Sequence, residues 1–132
     1  TYGDGLGDIN IKELIEFHKR QNTIATVTSV YPKARYGALE IENQLVKKFS
    51  EKTRGDNNLI NAGFFVLKKE VFRYLNNDQT VWEHEPLESL ASDGELSSYE
   101  HKGFWSPMDT LRDKIYLEDC WESKEKYWKV WD

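Results

Sequence analysis

The sequence predicts an α/β fold whose central sheet is at least partly parallel. Strand-like and helix-like segments alternate along the 132 residues, without internal repeats or low-complexity stretches. A nearly continuous apolar run, INAGFFVL within Leu59 to Leu67, is typical of a strand that is buried on both faces. The content of 39% hydrophobic and 14% aromatic residues excludes a disordered chain. Because no linker is evident, we expect one domain over residues 1–132.

The first elements are a helix and a strand. Asp8 is a suitable N-cap for a helix from about Ile9 to Arg20. Helical spacing predicts one buried face, made of Ile11, Leu14, Ile15 and His18. We expect His18 to be a satisfied edge residue of that face rather than a ligand. The β-branched segment from Thr23 to Val30 predicts the strand that follows.

The middle of the chain continues the alternation. Turn residues and changes of hydrophobic period predict the following elements. They are a hairpin of Ala38 to Glu42 and Leu45 to Phe49, helices at Lys69 to Leu75 and Val81 to Ser92, and a strand at Leu96 to His101.

A long helix is expected from Pro107 to about Ser123, because proline suits the first turn of a helix. Its buried face is predicted to carry Leu111, Ile115 and Tyr116. Cys120, the one cysteine, is expected to face the core as a small hydrophobe. Trp121, Trp128 and Trp131 make the tail apolar, so we expect it to dock on another surface.

Charge and cysteine usage limit the partners. A net charge of −5 argues against nucleic acid, which requires a concentrated positive face. A single cysteine excludes an intrachain disulfide and fits a reducing compartment. No apolar run reaches about 18 residues and no signal peptide is visible, so a cytoplasmic protein without a membrane partner is expected. The chain starts at Thr1 without Met or a leading strand, so we expect a longer chain to precede it.

Two acidic stretches are candidate metal ligands. Asp4 stands between Gly3 and Gly5, where its carboxylate can bind a hard cation such as Mg²⁺ or simply belong to a turn. Asp109 follows Pro107 near the start of the last helix. It is either an acidic residue that the partial positive charge of the helix N-terminus stabilises, or a second metal carboxylate facing Asp4.

Two further stretches are candidate ligand contacts. Glu51 and Lys52 follow a strand, where they form either an exposed ion pair or a site for sugar hydroxyls and a phosphate. Asn61 and Gly63 interrupt the apolar strand. Glycine there indicates close approach of a backbone or ligand, with simple core packing as the alternative.

Together these stretches resemble the C-terminal half of the sugar-1-phosphate nucleotidylyltransferases. The resemblance is carried by six segments: TYGDGLGDINIKELI, RYGALEI, FSEK, INAGFFVL, TVWEHEPLESLA and GFWSPMDTLRDK. It extends over essentially the whole chain and is most specific in the first and last segments. The fold that it implies is the C-terminal part of a Rossmann-like nucleotide-diphospho-sugar transferase fold with a mixed central sheet. The family's Gly-rich triphosphate loop and base-recognition region are absent from this sequence.

The resemblance is nearest to family members that use CTP and glucose 1-phosphate. It implies the reaction of CTP with α-D-glucose 1-phosphate to give CDP-glucose and diphosphate, with Mg²⁺ as cofactor. In the family, CDP-glucose serves the biosynthesis of O-antigen and other surface polysaccharide. A homo-oligomer is also expected. The 132 residues by themselves are expected to be an incomplete enzyme.

The resemblance also assigns roles to individual residues. Asp4 and Asp109 fall on the two metal carboxylates, and Lys52 falls on the lysine that meets the sugar phosphate. Contacts to the substrate are implied for Tyr2, Gly3, Glu51, Asn61, Gly63 and Trp105. Two departures from the family pattern are Thr53, where proline is usual, and Ala62, where a second glycine is common.

Two other functions fit the same residues. One is a binding module that keeps affinity for a sugar nucleotide without turnover. The other is a metal-dependent glycosyltransferase, in which Asp4 and Asp8 would form the metal pair. That second alternative competes with the expected N-cap role of Asp8.

Overall fold

The computed structural model describes residues 1–32, 38–50, 58–123 and 125–131. The elements are, in chain order, β1 (Gly5–Gly7), α1 (Ile11–Gln21), β2 (Ala25–Val30), β3 (Ala38–Glu42), β4 (Leu45–Ser50), β5 (Ile60–Leu67), a 3₁₀ helix (Lys69–Tyr74), α2 (Glu85–Ser92), β6 (Leu96–Glu100), β7 (Trp105–Pro107) and α3 (Leu111–Glu122). The short strands β1 and β7 carry no alternating pattern, and the sequence did not predict them.

A three-stranded mixed sheet in the order β5-β2-β6 forms the centre of the fold. Strand β2 runs parallel to β6 and antiparallel to β5, which confirms the partly parallel sheet. Neighbouring side chains of β2 point to opposite faces. Ala25 packs with Val71 and Leu90 on the side of the 3₁₀ helix and α2, whereas Thr26 meets His18 of α1 on the other side. The sheet therefore lies between two helical layers.

The first helix begins later than expected. Its N-cap is Asn10, whose side chain accepts from the backbone N–H of Glu13 at 3.2 Å, so the prediction of Asp8 as the cap was wrong. The buried face is also narrower than predicted. Leu14 and His18 are 1% and 5% exposed, whereas Ile11 and Ile15 are 49% and 37% exposed. The contact surface of α1 on the sheet is thus one stripe of i and i+4 positions. His18 meets Thr26 at 2.8 Å, as expected for a satisfied residue.

Strand β5 is not buried on both faces, contrary to the prediction. Within the described sheet it is an edge strand, and only Ala62 and Gly63 of its residues are buried. Its pairing with β2 shifts between Val27 and Ser29, which face Phe65 and Asn61 respectively. This bulge interrupts the regular hydrogen-bond ladder and bends the first half of β5.

The predicted hairpin is confirmed. Strands β3 and β4 pair antiparallel, with Glu42 opposite Leu45. Asn43 and Gln44 form the turn with positive φ angles of 50° and 66°, as the twist of a two-residue hairpin requires.

The predicted start of the last helix was wrong. Pro107 ends strand β7, which pairs antiparallel with β1, and α3 begins only at Leu111. Thr110 is the N-cap, and its hydroxyl and backbone form a capping box with Asp113. Asp109 therefore lies just outside the helix.

The predicted buried face of α3 was also wrong. Leu111 and Ile115 are 71% and 49% exposed, and Tyr116 is exposed as well. The stripe that packs is Leu117 and Cys120, which meet Trp128, Leu6 and Phe104. Cys120 is buried, as expected. The tail docks through Trp128, whereas Trp121 and Trp131 remain exposed.

The remaining boundaries differ in detail. Lys69–Tyr74 is a 3₁₀ rather than an α-helix, and α2 begins at Glu85 rather than Val81, because Pro86 suits only its first turn. Among the helices of the described residues, none has the length and apolar character that a membrane crossing requires.

Candidate functional site

An open cavity of about 970 Å³ lies where the end of β2, the start of β5, the β1–β7 ribbon and the N-terminus of α3 meet. Its volume is that of a small-molecule site. The lining includes six of the residues that the sequence singled out: Tyr2, Asp4, Asn61, Gly63, Trp105 and Asp109. Gly3 is not among the lining residues. Ligands of α/β sheets commonly bind at carboxyl ends of strands, which is where this cavity opens.

The β1–β7 ribbon brings the two predicted metal carboxylates to the same cavity. Gly5 pairs with Pro107, and the backbone N–H of Met108 donates to the carbonyl oxygen of Asp4 at 2.7 Å. Asp109 is the next residue. Asp4 and Asp109 are more than 100 positions apart in sequence. The Met108–Asp4 hydrogen bond extends the β1–β7 pairing by one step and brings these two segments together.

This donor set fits Mg²⁺. The described part of the chain holds no group of three or more His, Cys, Asp or Glu side chains arranged around a metal. Asp4 and Asp109 offer two hard carboxylates, and Mg²⁺ is usually held by one or two carboxylates with substrate phosphates and water as its other ligands. A site that is completed by a phosphate substrate is consistent with two protein carboxylates.

The bulge of β5 forms one wall of the cavity. Gly63 has a φ of +78°, and a Cβ added there would lie 2.7 Å from Cδ2 of Tyr2. The backbone N–H of Tyr2 donates to the Gly63 carbonyl at 2.9 Å. Glycine is therefore required both by the left-handed backbone and by the close approach of the Tyr2 ring.

Asn61 and Trp105 are held on the same wall by backbone contacts. The Asn61 Oδ1 atom accepts from the Gly63 N–H at 2.8 Å, which leaves its Nδ2 group directed toward Tyr2 Oη at 3.4 Å. The Trp105 indole N–H donates to the Ala62 carbonyl at 3.0 Å. These bonds fix an amide donor and an aromatic surface in the cavity before any ligand binds.

Glu83 is a residue of this site that sequence reasoning missed. Burial and a hydrogen bond to Glu83 raise the pKa of Tyr2, and the hydrogen bond from Tyr2 lowers the pKa of Glu83. The Tyr2 hydroxyl therefore stays protonated, and it donates a hydrogen bond to the ionised Glu83 carboxylate. Its oxygen remains an acceptor for Asn61 or for a ligand hydroxyl.

An aromatic row holds Glu83 near the cavity. Trp82 contacts Phe65 edge-on at 5.6 Å between ring centroids, and Phe65 contacts Tyr2 at 5.7 Å. The only sequence signal for Glu83 was its place in the segment TVWEHEPLESLA. Nothing local indicates that this segment reaches the first residues of the chain.

Arg112 also lines the cavity and was not singled out from the sequence. It is the one cationic side chain among the described lining residues, whose carboxylates are Asp4, Asp109 and Asp113. The capping box at Thr110 places it in the first turn of α3, three residues beyond Asp109.

Asp8 lies outside the lining of this cavity. His101 Nε2 forms a hydrogen bond with the Phe104 carbonyl oxygen at 3.1 Å and lies 2.9 Å from Asp8 Oδ1, which is the distance of an ion pair. A Cβ on Gly103 would overlap the Asp8 carboxylate. Asp8, which follows β1, therefore contacts His101 and Gly103 in the connection between β6 and β7.

Three residues named from the sequence, Glu51, Lys52 and Thr53, lie outside the residues that the structure describes. The proposed lysine contact to the sugar phosphate is therefore a prediction from the sequence alone.

Comparison with known proteins finds related sequences and a similar structure. The sequence profile of the nucleotidyl transferase family matches residues 2–119. The glucose-1-phosphate cytidylyltransferases of Salmonella typhi and Salmonella typhimurium are each 52% identical over 132 residues, which is 100% of this chain and 51% of theirs. This chain thus spans about half the length of those relatives. The crystal structure of HddC from Yersinia pseudotuberculosis aligns with a TM-score of 0.60 at 22% identity, over 91% of this chain and 52% of that one.

Proposed function

The chain belongs to the nucleotidyl transferase family, and on that premise we propose that it forms the sugar-phosphate side of a glucose-1-phosphate cytidylyltransferase active site. The reaction is CTP with α-D-glucose 1-phosphate, giving CDP-glucose and diphosphate. The observation that carries this proposal is that Asp4 and Asp109 line one cavity, whose wall also includes residues of the β5 bulge. The relatives at 52% identity are glucose-1-phosphate cytidylyltransferases, which supports the choice of reaction.

The chemistry is an in-line transfer without a covalent enzyme intermediate. An oxygen of the sugar phosphate attacks the α-phosphorus of CTP, and the bond from that phosphorus to the bridging oxygen of diphosphate breaks. Asp4 and Asp109 are the carboxylates that would hold Mg²⁺. When bound, Mg²⁺ supplies the positive charge that neutralises the phosphate oxygens. The contribution of the protein is positioning and electrostatic stabilisation.

The hexose is proposed to lie against the β5 wall. Asn61 offers an amide donor, and Tyr2 offers an oxygen whose own proton is directed to Glu83. The Trp105 ring covers a sugar face, and its N–H is already satisfied by Ala62. Outside the described residues, Glu51 is proposed to accept from sugar hydroxyls and Lys52 to neutralise the sugar phosphate.

The cellular setting is part of the same proposal. We place the reaction in the cytoplasm, where it would supply CDP-glucose for O-antigen or other surface polysaccharide. Association of copies is supported by large apolar side chains that remain exposed on α3 and the tail, such as Leu111, Val130 and Trp131.

Calorimetric titration with glucose 1-phosphate and CDP-glucose, in Mg²⁺, tests this function. Glucose 6-phosphate is the matched control, because it has the same charge and the same sugar. Binding of the 1-phosphate and of CDP-glucose, with at least tenfold weaker binding of the 6-phosphate, is expected. Equal binding of both phosphates, or no binding by a chain with a cooperative unfolding transition, would contradict the proposal. Release of diphosphate after addition of CTP separates an enzyme from a binding module.

A further inference from the structure

Charge in the cavity is unbalanced in a way that points to one more ligand-binding residue. The described lining residues include the Asp4 and Asp109 carboxylates, the Asp113 carboxylate, which is engaged in the capping box with Thr110, and one guanidinium, Arg112. A phosphate ester is anionic, so such a cavity repels it unless cations are placed beside the carboxylates. A metal on Asp4 and Asp109 offsets part of that charge, and Arg112 is the cation that the described chain itself adds.

The position of Arg112 is not explained by the stability of α3. It is the second residue of a 12-residue helix, where the positive end of the helix dipole disfavours a cation. Its side chain is exposed, and the ion pairs found among the described residues do not include it. The neighbouring Asp113 carboxylate is turned back to the N-cap, where it accepts from the Thr110 N–H at 3.1 Å and from its hydroxyl at 2.8 Å.

The same capping box fixes the direction in which Arg112 leaves the helix. The Asp113 N–H donates to Thr110 Oγ1 at 3.2 Å, while the Asp113 carboxylate accepts from the Thr110 N–H. These two reciprocal hydrogen bonds fix the first turn of α3. Thr110 in turn follows Asp109, which the Asp4–Met108 hydrogen bond holds at the ribbon. The base of the Arg112 side chain is therefore positioned relative to the carboxylate pair by short, rigid connections.

We propose that Arg112 binds a phosphate group of the substrate in the cavity that Asp4 and Asp109 also line. This inference rests on the proposed function, because it requires a phosphorylated ligand in this cavity. A planar guanidinium offers two parallel N–H donors that match two phosphate oxygens, which a lysine cannot do. The phosphate belongs either to the sugar 1-phosphate or to the nucleotide, and both present the same anionic oxygens.

Titration calorimetry of the whole chain in Mg²⁺, with three ligands, tests the assignment. The ligands are glucose 1-phosphate, CDP-glucose and CTP. The variants are Arg112→Gln, which removes the charge and the fork, and Arg112→Lys, which keeps only the charge. Arg73→Gln is the matched control, because Arg73 is an exposed arginine on the 3₁₀ helix, away from the cavity. Thermal unfolding of each variant confirms that the exposed substitutions leave the fold intact.

Arg112→Gln is expected to weaken phosphate ligands by about 10- to 100-fold, with Arg112→Lys intermediate and Arg73→Gln unchanged. Loss for glucose 1-phosphate but not for CTP assigns Arg112 to the sugar phosphate, whereas loss for CTP but not for glucose 1-phosphate assigns it to the nucleotide. CDP-glucose carries both phosphates and is expected to lose affinity in either case. Wild-type affinity in Arg112→Gln, or an equal loss in Arg73→Gln, would overturn the assignment while the proposed function stands. Absence of binding by the folded wild-type chain would instead remove the proposed function and this inference with it.

Discussion

The backbone N–H of Met108 donates to the carbonyl oxygen of Asp4 at 2.7 Å, and this single bond continues the β1–β7 pairing to the edge of the cavity. Its consequence is that Asp4 and Asp109 line the same cavity, although α1, the central sheet and α2 separate them in sequence. The carboxylate pair therefore depends on a ribbon of only three residues per strand. Changes that loosen this ribbon should affect the site before they affect the central sheet.

Gly63→Ala should destabilise the protein more than Gly94→Ala. Both glycines have a positive φ, +78° and +72°, so both substitutions strain the backbone by about 1 kcal/mol. Only at Gly63 does the added Cβ meet the Tyr2 ring, whereas the space at Gly94 is open. We expect a further loss of about 1–2 kcal/mol for Gly63→Ala from this overlap. Urea unfolding of the two variants measures the difference, and equal losses would show that Tyr2 moves away without cost.

Gly103→Ala should separate Asp8 from His101. A Cβ at this position overlaps the Asp8 carboxylate and approaches the His101 ring, so at least one partner must move. We expect a loss of about 1–3 kcal/mol in the free energy of unfolding. Gly3→Ala is the control, because a Cβ there meets no atom within 4 Å. If Gly103→Ala is as stable as Gly3→Ala in urea, the Asp8–His101 contact is not a fixed part of the fold.

Stability should fall as the pH decreases through about 6.5, because of His18. Burial, and then the positive charge of Lys68, lower the pKa of His18 below its ordinary value of 6.5. Between the two pKa values the unfolded chain binds more protons than the folded one, so the stabilisation is complete above pH 6.5 and decreases below it. His18→Gln should flatten this part of the pH profile of the free energy of unfolding. An unchanged slope in His18→Gln would show that the pKa of His18 is the same in the folded and the unfolded chain.

Glu83→Gln should weaken ligand binding through Tyr2. The Glu83 carboxylate orients the Tyr2 proton and raises the pKa of Tyr2, whereas a neutral amide at this position accepts only a weaker hydrogen bond from the hydroxyl. We expect affinity for glucose 1-phosphate to fall several-fold and the pKa of Tyr2, followed by NMR, to decrease. Glu88→Gln, on α2 and outside the cavity lining, serves as the control. If the pKa of Tyr2 does not change, the hydrogen bond to Glu83 is not formed in solution.

Local sequence patterns predicted much of the architecture. The hairpin, the mixed sheet and the positions of β2, β5 and β6 follow from hydrophobic period and turn residues, which act over a few positions. The buried face of α3 could not be read in this way, because Leu111 and Ile115 are as apolar as Leu117 and Cys120. Only the position of Trp128 and β1 decides which stripe packs.

The site shows the same division between local and long-range information. Asp4, Asn61, Trp105 and Asp109 stood out because their neighbours are glycine or proline, or because of the family resemblance. Glu83 and Arg112 did not, because each depends on another element: Glu83 contacts the lining residue Tyr2, and Arg112 lies in the first turn of α3 beside the capping box of Thr110. Asp8 was misjudged for a related reason, since its partner His101 lies on a distant strand end.

The most direct test of the account is CDP-glucose binding by the wild-type chain, Asp4→Asn and Asp109→Asn, each with and without Mg²⁺. Asp78→Asn, an exposed aspartate outside the cavity, is the control. We expect Mg²⁺ to strengthen binding at least tenfold in the wild type and in Asp78→Asn, and to have little effect in the other two variants. If Mg²⁺ strengthens binding equally in all four proteins, Asp4 and Asp109 do not form the metal site and the central claim is wrong.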